Sequence, residues 1–117
     1  MIYMINITSP SRYKVNRKQI RNFITGILNS YNISLQEPLN IVFIGRTKMR
    51  SIAEKYKNED VALPILSFKY NEPIHPLFGE LVICYPQVVL LAAERNKTVD
   101  QVMKQLLDHG IKNLINS

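Results

Sequence analysis

The chain has 117 residues, of which 46% are hydrophobic and 21% are charged, a composition that predicts one folded domain over residues 1–117 and excludes an intrinsically disordered protein. Fifteen Lys and Arg against nine Asp and Glu give a net charge of +6. No apolar run reaches the roughly 20 residues of a membrane span, and the start lacks a basic flank followed by an apolar block, so we expect a cytoplasmic protein with no membrane partner.

The first predicted elements are a strand and a helix. Met1 to Ile7 is mostly apolar and predicts a strand, which the Thr-Ser-Pro sequence that follows would end. Asn16 is the predicted N-cap of a helix whose apolar residues recur at i, i+3 and i+4. The inward face of this helix would consist of Ile20, Phe23, Ile24, Ile27, Leu28 and Tyr31.

A second strand and helix follow. Leu39 to Ile44 is an apolar run between Pro38 and Gly45, which predicts a buried strand. Thr47 is the predicted cap of a shorter helix. Its inward face would consist of Met49, Ile52, Ala53 and Tyr56.

The second half of the chain predicts two strands and two helices. Ile65 to Tyr70 and Gly79 to Tyr85 are the predicted strands, joined by a loop through residues 73–76, and Pro86 suits the first turn of a helix. Thr98 to Gln101 is a capping-box pattern that opens a final helix, which His109 and Gly110 would close. Its inward residues would be Val102, Met103, Leu106 and Leu107.

The predicted order is β-α-β-α-β-β-α-α, which indicates an α+β fold with a four-stranded mixed sheet packed by about four helices. The single Cys84 excludes an internal disulfide. Because it lies in an apolar run with no basic neighbour, we expect a buried, neutral thiol.

The positive charge is concentrated in the first half of the chain. Residues 1–57 hold ten Lys or Arg and two acids, whereas residues 58–117 hold five and seven. A one-sided basic field attracts a polyanion, and its binding weakens with salt, as expected for nucleic acid. The alternative is ordinary solvated charge with no partner. The predicted RNA-binding residues are Arg12, Lys14, Arg17, Lys18, Arg21, Lys55 and Lys57.

Three segments together resemble the YbeY family. Residues 53–68 resemble the family pattern Asn-x-x-Tyr-Arg-x-x-x-x-Pro-Thr-Asp-Val-Leu-Ser-Phe, with matches at Tyr56 and at residues 66–68. Residues 79–84 resemble the family strand Gly-Asp-Ile-Val-Ile-Cys, and residues 106–110 resemble the final helix with its His-Gly pair. The resemblance implies the family fold and a metal-dependent, single-strand-specific endoribonuclease that matures ribosomal RNA beside the small ribosomal subunit and its proteins.

The departures from the family pattern affect the metal ligands. Members carry three His residues that are expected to bind zinc; here His109 matches the first, Asn113 replaces the second, and the sequence stops before the third. Catalytic zinc ordinarily has three protein ligands, and a neutral amide is a weak donor. The resemblance therefore implies an incomplete site at His109, with zinc absent or weakly bound.

Further departures from the family pattern remove or change polar side chains in the same region. The family Arg becomes Lys57, which keeps the charge but loses the planar fork that grips phosphate. Ala53, Leu63 and Pro64 replace an Asn and a Thr-Asp pair of the family pattern. The remaining candidate catalytic residues are therefore Lys57 and His109.

Three hypotheses follow. The first is a factor that binds RNA through the basic residues and assists maturation without efficient cleavage. The second is a working endoribonuclease that completes its metal site with His109, His75, a nearby acid or a second chain. The third is a protein-interaction module that uses the sheet edge or the first helix. A helix-ending role for His109, a structural role for Ser67 and an ordinary surface role for His75 remain the simpler alternatives for these residues.

Overall fold

The computed structural model describes residues 4–69 and 77–116, and the elements follow one another in the predicted order. Eight elements are present in these residues: β1 (Ile5–Thr8), α1 (Arg17–Ser30), β2 (Leu39–Ile44), α2 (Arg46–Lys57), β3 (Ile65–Phe68), β4 (Gly79–Cys84), α3 (Tyr85–Glu94) and α4 (Val99–Ile115). The four-stranded mixed sheet and the four helices confirm the predicted fold class.

The strands form one sheet in the order β1-β2-β4-β3. β1, β2 and β4 are parallel, and β3 pairs with β4 in the antiparallel direction. Thr8, Ile44 and Cys84 therefore end their strands at the same margin of the sheet. β3 lies at one edge, where Ser67 stands opposite Leu81.

Side chains alternate between the two faces of the sheet, and each face has its own helices. The main core packs residues such as Ile41 and Leu81 against α1, α3 and α4. A smaller cluster on the opposite face packs Val82 and Leu66 against Met49 of α2. The sheet therefore separates α2 from the other three helices.

Several local predictions are confirmed. The Asn16 side chain accepts a hydrogen bond from the Gln19 backbone amide at the start of α1, and the reciprocal capping box of Thr98 and Gln101 opens α4. The four residues predicted to face inward on α4 are buried. Cys84 is buried as expected, and burial raises the pKa of its thiol, which keeps it protonated.

The predicted start and inward face of α2 are partly wrong. The cap is Gly45 rather than Thr47, because β2 runs directly into α2 and the extended backbone of Gly45 is the only connection between them. Met49 and Ala53 are buried, but Tyr56 is 57% exposed and packs edge to face on Phe68 with ring centroids 5.1 Å apart. Tyr56 therefore packs at the margin of the smaller cluster, against Phe68 of β3, and not inside it.

The predicted end of α4 is also wrong. The helix continues past His109 and Gly110 to Ile115. Gly110 is buried against the sheet, where an added Cβ would lie 2.9 Å from Ile65 Cδ1 and from Leu81 Cδ2. The glycine thus marks close packing of a continuous helix rather than its termination, and the helix-ending role considered for His109 does not apply.

Other boundaries shift by a few residues. β1 includes Thr8, β3 ends at Phe68, and Tyr85 begins α3 instead of ending β4. His75, Tyr70, the remainder of the loop through residues 73–76, residues 1–3 and Ser117 lie outside the described residues. Among the described helices, none combines the length and the apolar character needed to cross a bilayer.

Candidate functional site

A cleft of about 560 Å³ runs along the β3 edge, between α4 and the segment that follows α2. β3 supplies its floor, and the last two turns of α4 form one wall. The family-like segment at residues 53–68 and the family-like part of α4 thus meet in one place, although Ser67 and Gly110 are 43 positions apart in sequence. The polar lining consists of Lys57, Glu59, Ser67, Lys69, His109, Asn113 and Asn116.

Two side chains of the β3 segment hold α4 in position. The Ser67 hydroxyl donates to the Gly110 carbonyl oxygen at 3.0 Å, and Lys69 Nζ donates to the Leu114 carbonyl oxygen at 3.4 Å. These contacts sit on either side of the turn that carries Asn113. The Ser67 hydroxyl is therefore engaged with the backbone of α4, in agreement with the structural role considered for this residue.

His109 and Asn113 lie one turn apart on the solvent-facing side of α4. The Asn113 Nδ2 atom is 3.3 Å from His109 Nε2, and both side chains are exposed. An amide nitrogen only donates, so this contact is a hydrogen bond in the tautomer whose ring proton is on Nδ1 and whose Nε2 accepts. The Asn113 carboxamide therefore lies against His109 Nε2, the ring nitrogen that would face a metal ion held between positions 109 and 113.

The described residues do not fit a zinc ion. Within residues 4–69 and 77–116 there is no group of three His, Cys, Asp or Glu side chains placed to hold a metal. Glu59 is the acidic residue in the cleft lining, and it is accompanied by one imidazole whose Nε2 already has a neighbour. This donor set falls short of the three protein ligands of catalytic zinc.

Lys57 and His109, the two predicted catalytic residues, line the same cleft. Lys57 is the last residue of α2, and Lys69 follows β3 directly. Within the cleft lining, these two ammonium groups are accompanied by one carboxylate, that of Glu59. The cleft can therefore bind a phosphate by charge and place it near an imidazole that can exchange a proton.

The other predicted RNA-binding residues are dispersed. Lys55 lies outside the cleft lining with its Nζ 5.2 Å above the centre of the Tyr56 ring. Arg21 is partly buried and donates from Nε to the Ile5 carbonyl oxygen at 3.3 Å, a contact that fastens α1 to β1. Arg12 borders a different groove. Lys14 is exposed on the segment before α1, and Arg17 and Lys18 are exposed in the first turn of α1.

The predicted basic face is therefore not one continuous surface. α1 packs in the main core with α4, whereas α2 packs on the opposite side of the sheet. Lys55 and Lys57 consequently belong to a different side of the molecule from Arg17 and Lys18. The sequence identifies the positively charged residues. Their positions depend on which face of the sheet each helix covers, and strand side chains alternate between these faces.

Sequence reasoning missed Lys69 and Glu59 as cleft residues. Lys69 comes directly after the matched Leu-Ser-Phe motif, and this adjacency was the available signal. Glu59 carried no comparable signal, because it lies in an irregular connection whose path depends on how α2 and β3 pack.

Comparison with known proteins supports the resemblance seen in the sequence. The family model described as "Endoribonuclease YbeY" matches residues 5–115. Among curated proteins, the chain is 39% identical over 83 residues to Endoribonuclease YbeY of Chromobacterium violaceum, a match that covers 68% of this chain and 49% of the relative. It is 30% identical over 114 residues to Endoribonuclease YbeY of Cellvibrio japonicus, covering 95% of this chain and 64% of the relative.

The chain thus spans between about half and two thirds of the length of these relatives. Among solved structures, the solution structure of TM1509 from Thermotoga maritima superposes with a TM-score of 0.65 at 18% identity, covering 94% of this chain and 71% of that one. At this identity the likeness concerns the fold alone.

Proposed function

The chain belongs to the YbeY family, and from this premise we propose that it is a ribosomal RNA maturation factor of the cytoplasm that binds single-stranded RNA in the β3-edge cleft and has lost efficient cleavage. Its partners would be ribosomal RNA and the small ribosomal subunit with its proteins. One observation carries the proposal: the cleft keeps its cations and His109, while its donor set is too small for the family's zinc.

Binding would depend on charge. Lys57 borders the cleft from the end of α2 and Lys69 from the position after β3, so both ammonium groups would attract a phosphate in the cleft. Lysine neutralises a phosphate without the two-point geometry of arginine, which favours binding over precise alignment. The contacts would fix the RNA backbone and carry little base preference.

Cleavage would be weak because the remaining groups supply no activated water. His109 can accept or release one proton, and Asn113 can orient its ring. Neither generates hydroxide at neutral pH, which in metal-dependent nucleases is the contribution of the metal. The described residues therefore retain proton transfer and phosphate binding.

The test is RNA binding at several salt concentrations by the wild type, by Lys57→Ala/Lys69→Ala and by a control, Arg95→Ala/Lys97→Ala. The control removes the same charge from the exposed connection between α3 and α4. We expect single-strand binding that falls steeply with salt, and a loss of affinity in the cleft variant alone. Salt-independent binding by the wild type would refute the proposal.

A second candidate function is an active endoribonuclease that completes a metal site with groups other than the family's His residues. The observation in its favour is that Lys57, His109 and Glu59 share one cleft. Metal analysis of the purified protein, together with cleavage of single-stranded ribosomal RNA by the wild type and His109→Ala, decides between the two. Stoichiometric metal with cleavage that depends on His109 would establish the enzyme, and equal background cleavage by both proteins would eliminate it.

A further inference from the structure

A second basic groove lies away from the β3-edge cleft, at the margin where β1 and β2 end. It has a volume of about 870 Å³ and lies between the residues after β1 and the first half of α2. Its cations are Arg12, Arg46 and Lys48, and Thr8, Ser9, Thr47 and Ser51 add hydroxyl groups. Its lining contains no acidic residue.

Arg12 is ordered without being neutralised. Its guanidinium carbon lies 4.8 Å from the centre of the Tyr13 ring, and Tyr13 stacks on Tyr85 with centroids 5.0 Å apart. Tyr85 in turn meets the buried Phe43 edge to face at 6.2 Å. This series of ring contacts connects Arg12 to the core. The positive charge of Arg12 remains available to a ligand.

Arg46 is held in the same way by a neutral partner. Its Nε donates to Gln87 Oε1 at 2.8 Å. Among the described residues, neither arginine of the groove forms an ion pair, whereas Arg50 on the same helix is paired with Asp60 at 3.1 Å. Two guanidinium groups held in place by uncharged partners are pre-organised for an anion that comes from outside the chain.

The groove and the cleft lie at opposite ends of α2. Arg46 begins the helix beside the groove and Lys57 ends it at the cleft, so the two sites are about 17 Å apart along the helix axis. The exposed side of α2 between them carries Lys48 and Lys55 against one acid, Glu54, together with Arg50, which is paired with Asp60. The charge therefore favours an extended polyanion over the whole length of the helix.

We propose that the groove of Arg12, Arg46 and Lys48 is a second RNA-backbone site, which binds phosphates of the same single strand that occupies the β3-edge cleft. The strand would cross the exposed side of α2 and contact both ends of the helix. The inference rests on the proposed function, because it assigns a second contact to the RNA that the cleft binds. It predicts that affinity depends on strand length.

The experiment compares the wild type with Arg12→Gln/Lys48→Gln and with Arg95→Gln/Lys97→Gln, a control with the same loss of charge. Binding of oligouridylates of roughly 2 and roughly 15 nucleotides is measured over a range of salt concentrations. For the long strand, we expect the groove variant to bind about tenfold more weakly and its salt slope to fall by about 1.4, the value for two lost phosphate contacts. The short strand, which fills the cleft alone, should bind all three proteins equally.

The outcomes separate this inference from the proposed function. If the wild type binds the long strand but the groove variant matches the control, the second site is refuted and the cleft proposal stands. Equal weakening of the short and long strands would also refute it, because the groove would then not be a separate contact. If the wild type binds neither strand, the proposed function itself fails, and the second site fails with it.

Discussion

Ser67 of β3 donates a hydrogen bond to the carbonyl oxygen of Gly110 in α4 at 3.0 Å. The bond joins the edge strand to the helix next to His109, and the absence of a Cβ on Gly110 lets the two elements approach this closely. This hydrogen bond therefore fixes the floor of the cleft to one of its walls.

The Ser67→Ala variant should destabilise the protein by about 1 kcal/mol, because a partly buried hydrogen bond is lost. Urea unfolding of the purified protein measures the change. Ser34→Ala is the control, since Ser34 is exposed in the connection between α1 and β2. Equal stability of the two variants would show that the hydrogen bond contributes nothing.

Two glycines in helices should respond differently to alanine. Gly26 of α1 has no atom within 4 Å of the added Cβ, so Gly26→Ala should stabilise by up to about 1 kcal/mol through helix propensity. Gly110→Ala would gain the same propensity, but its Cβ would lie 2.9 Å from the terminal carbons of Ile65 and Leu81, and overpacking of about 1–3 kcal/mol opposes that gain. Thermal and urea unfolding should rank Gly26→Ala above Gly110→Ala; the reverse order would contradict the close packing of α4.

Asn113→His should restore a pair of imidazoles one turn apart on α4, a spacing that binds zinc. We expect at least about tenfold tighter Zn²⁺ binding than in the wild type, measured by calorimetry. The control is Asn22→His, which adds a histidine to an exposed position of α1. Similar gains in both variants would mean that His109 takes no part.

The Tyr31 hydroxyl should titrate above its ordinary pKa of 10.0. It donates to Asp108 Oδ1 at 2.9 Å, and this hydrogen bond, desolvation and the charge of Asp108 all raise the pKa. Since the folded-state pKa is raised, the stabilisation is fully present below pH 10.0 and is lost as the pH rises through the raised value. NMR titration of the Tyr31 ring should show a lower pKa in Asp108→Ala; an unchanged pKa would contradict this account.

The sequence alone determined the element order and the fold class, because helix caps and hydrophobic periodicity are local signals. The Asn16 cap and the capping box at Thr98 lie where these signals placed them. The family motifs indicated Lys57 and His109 as candidate catalytic residues, and the structure places both in one cleft.

Local signals failed where packing between distant segments decides the outcome. In the sequence, Gly110 suggests the end of a helix. In the structure it lies inside α4, at a point where the helix packs closely on the sheet. Tyr56 follows the apolar period of α2, yet it is exposed and packs on Phe68 at the margin of the smaller cluster.

The amino-acid sequence determined how many positive charges this protein carries and which segments form its helices and strands. Only the tertiary structure decided that Lys57 and His109 line one cleft, that Arg12 and Arg46 line a separate groove, and that α1 lies on the other side of the sheet from α2. The physical reason is that charge and periodicity belong to individual segments. The grouping of side chains into sites depends instead on strand order and on the face of the sheet that each helix covers.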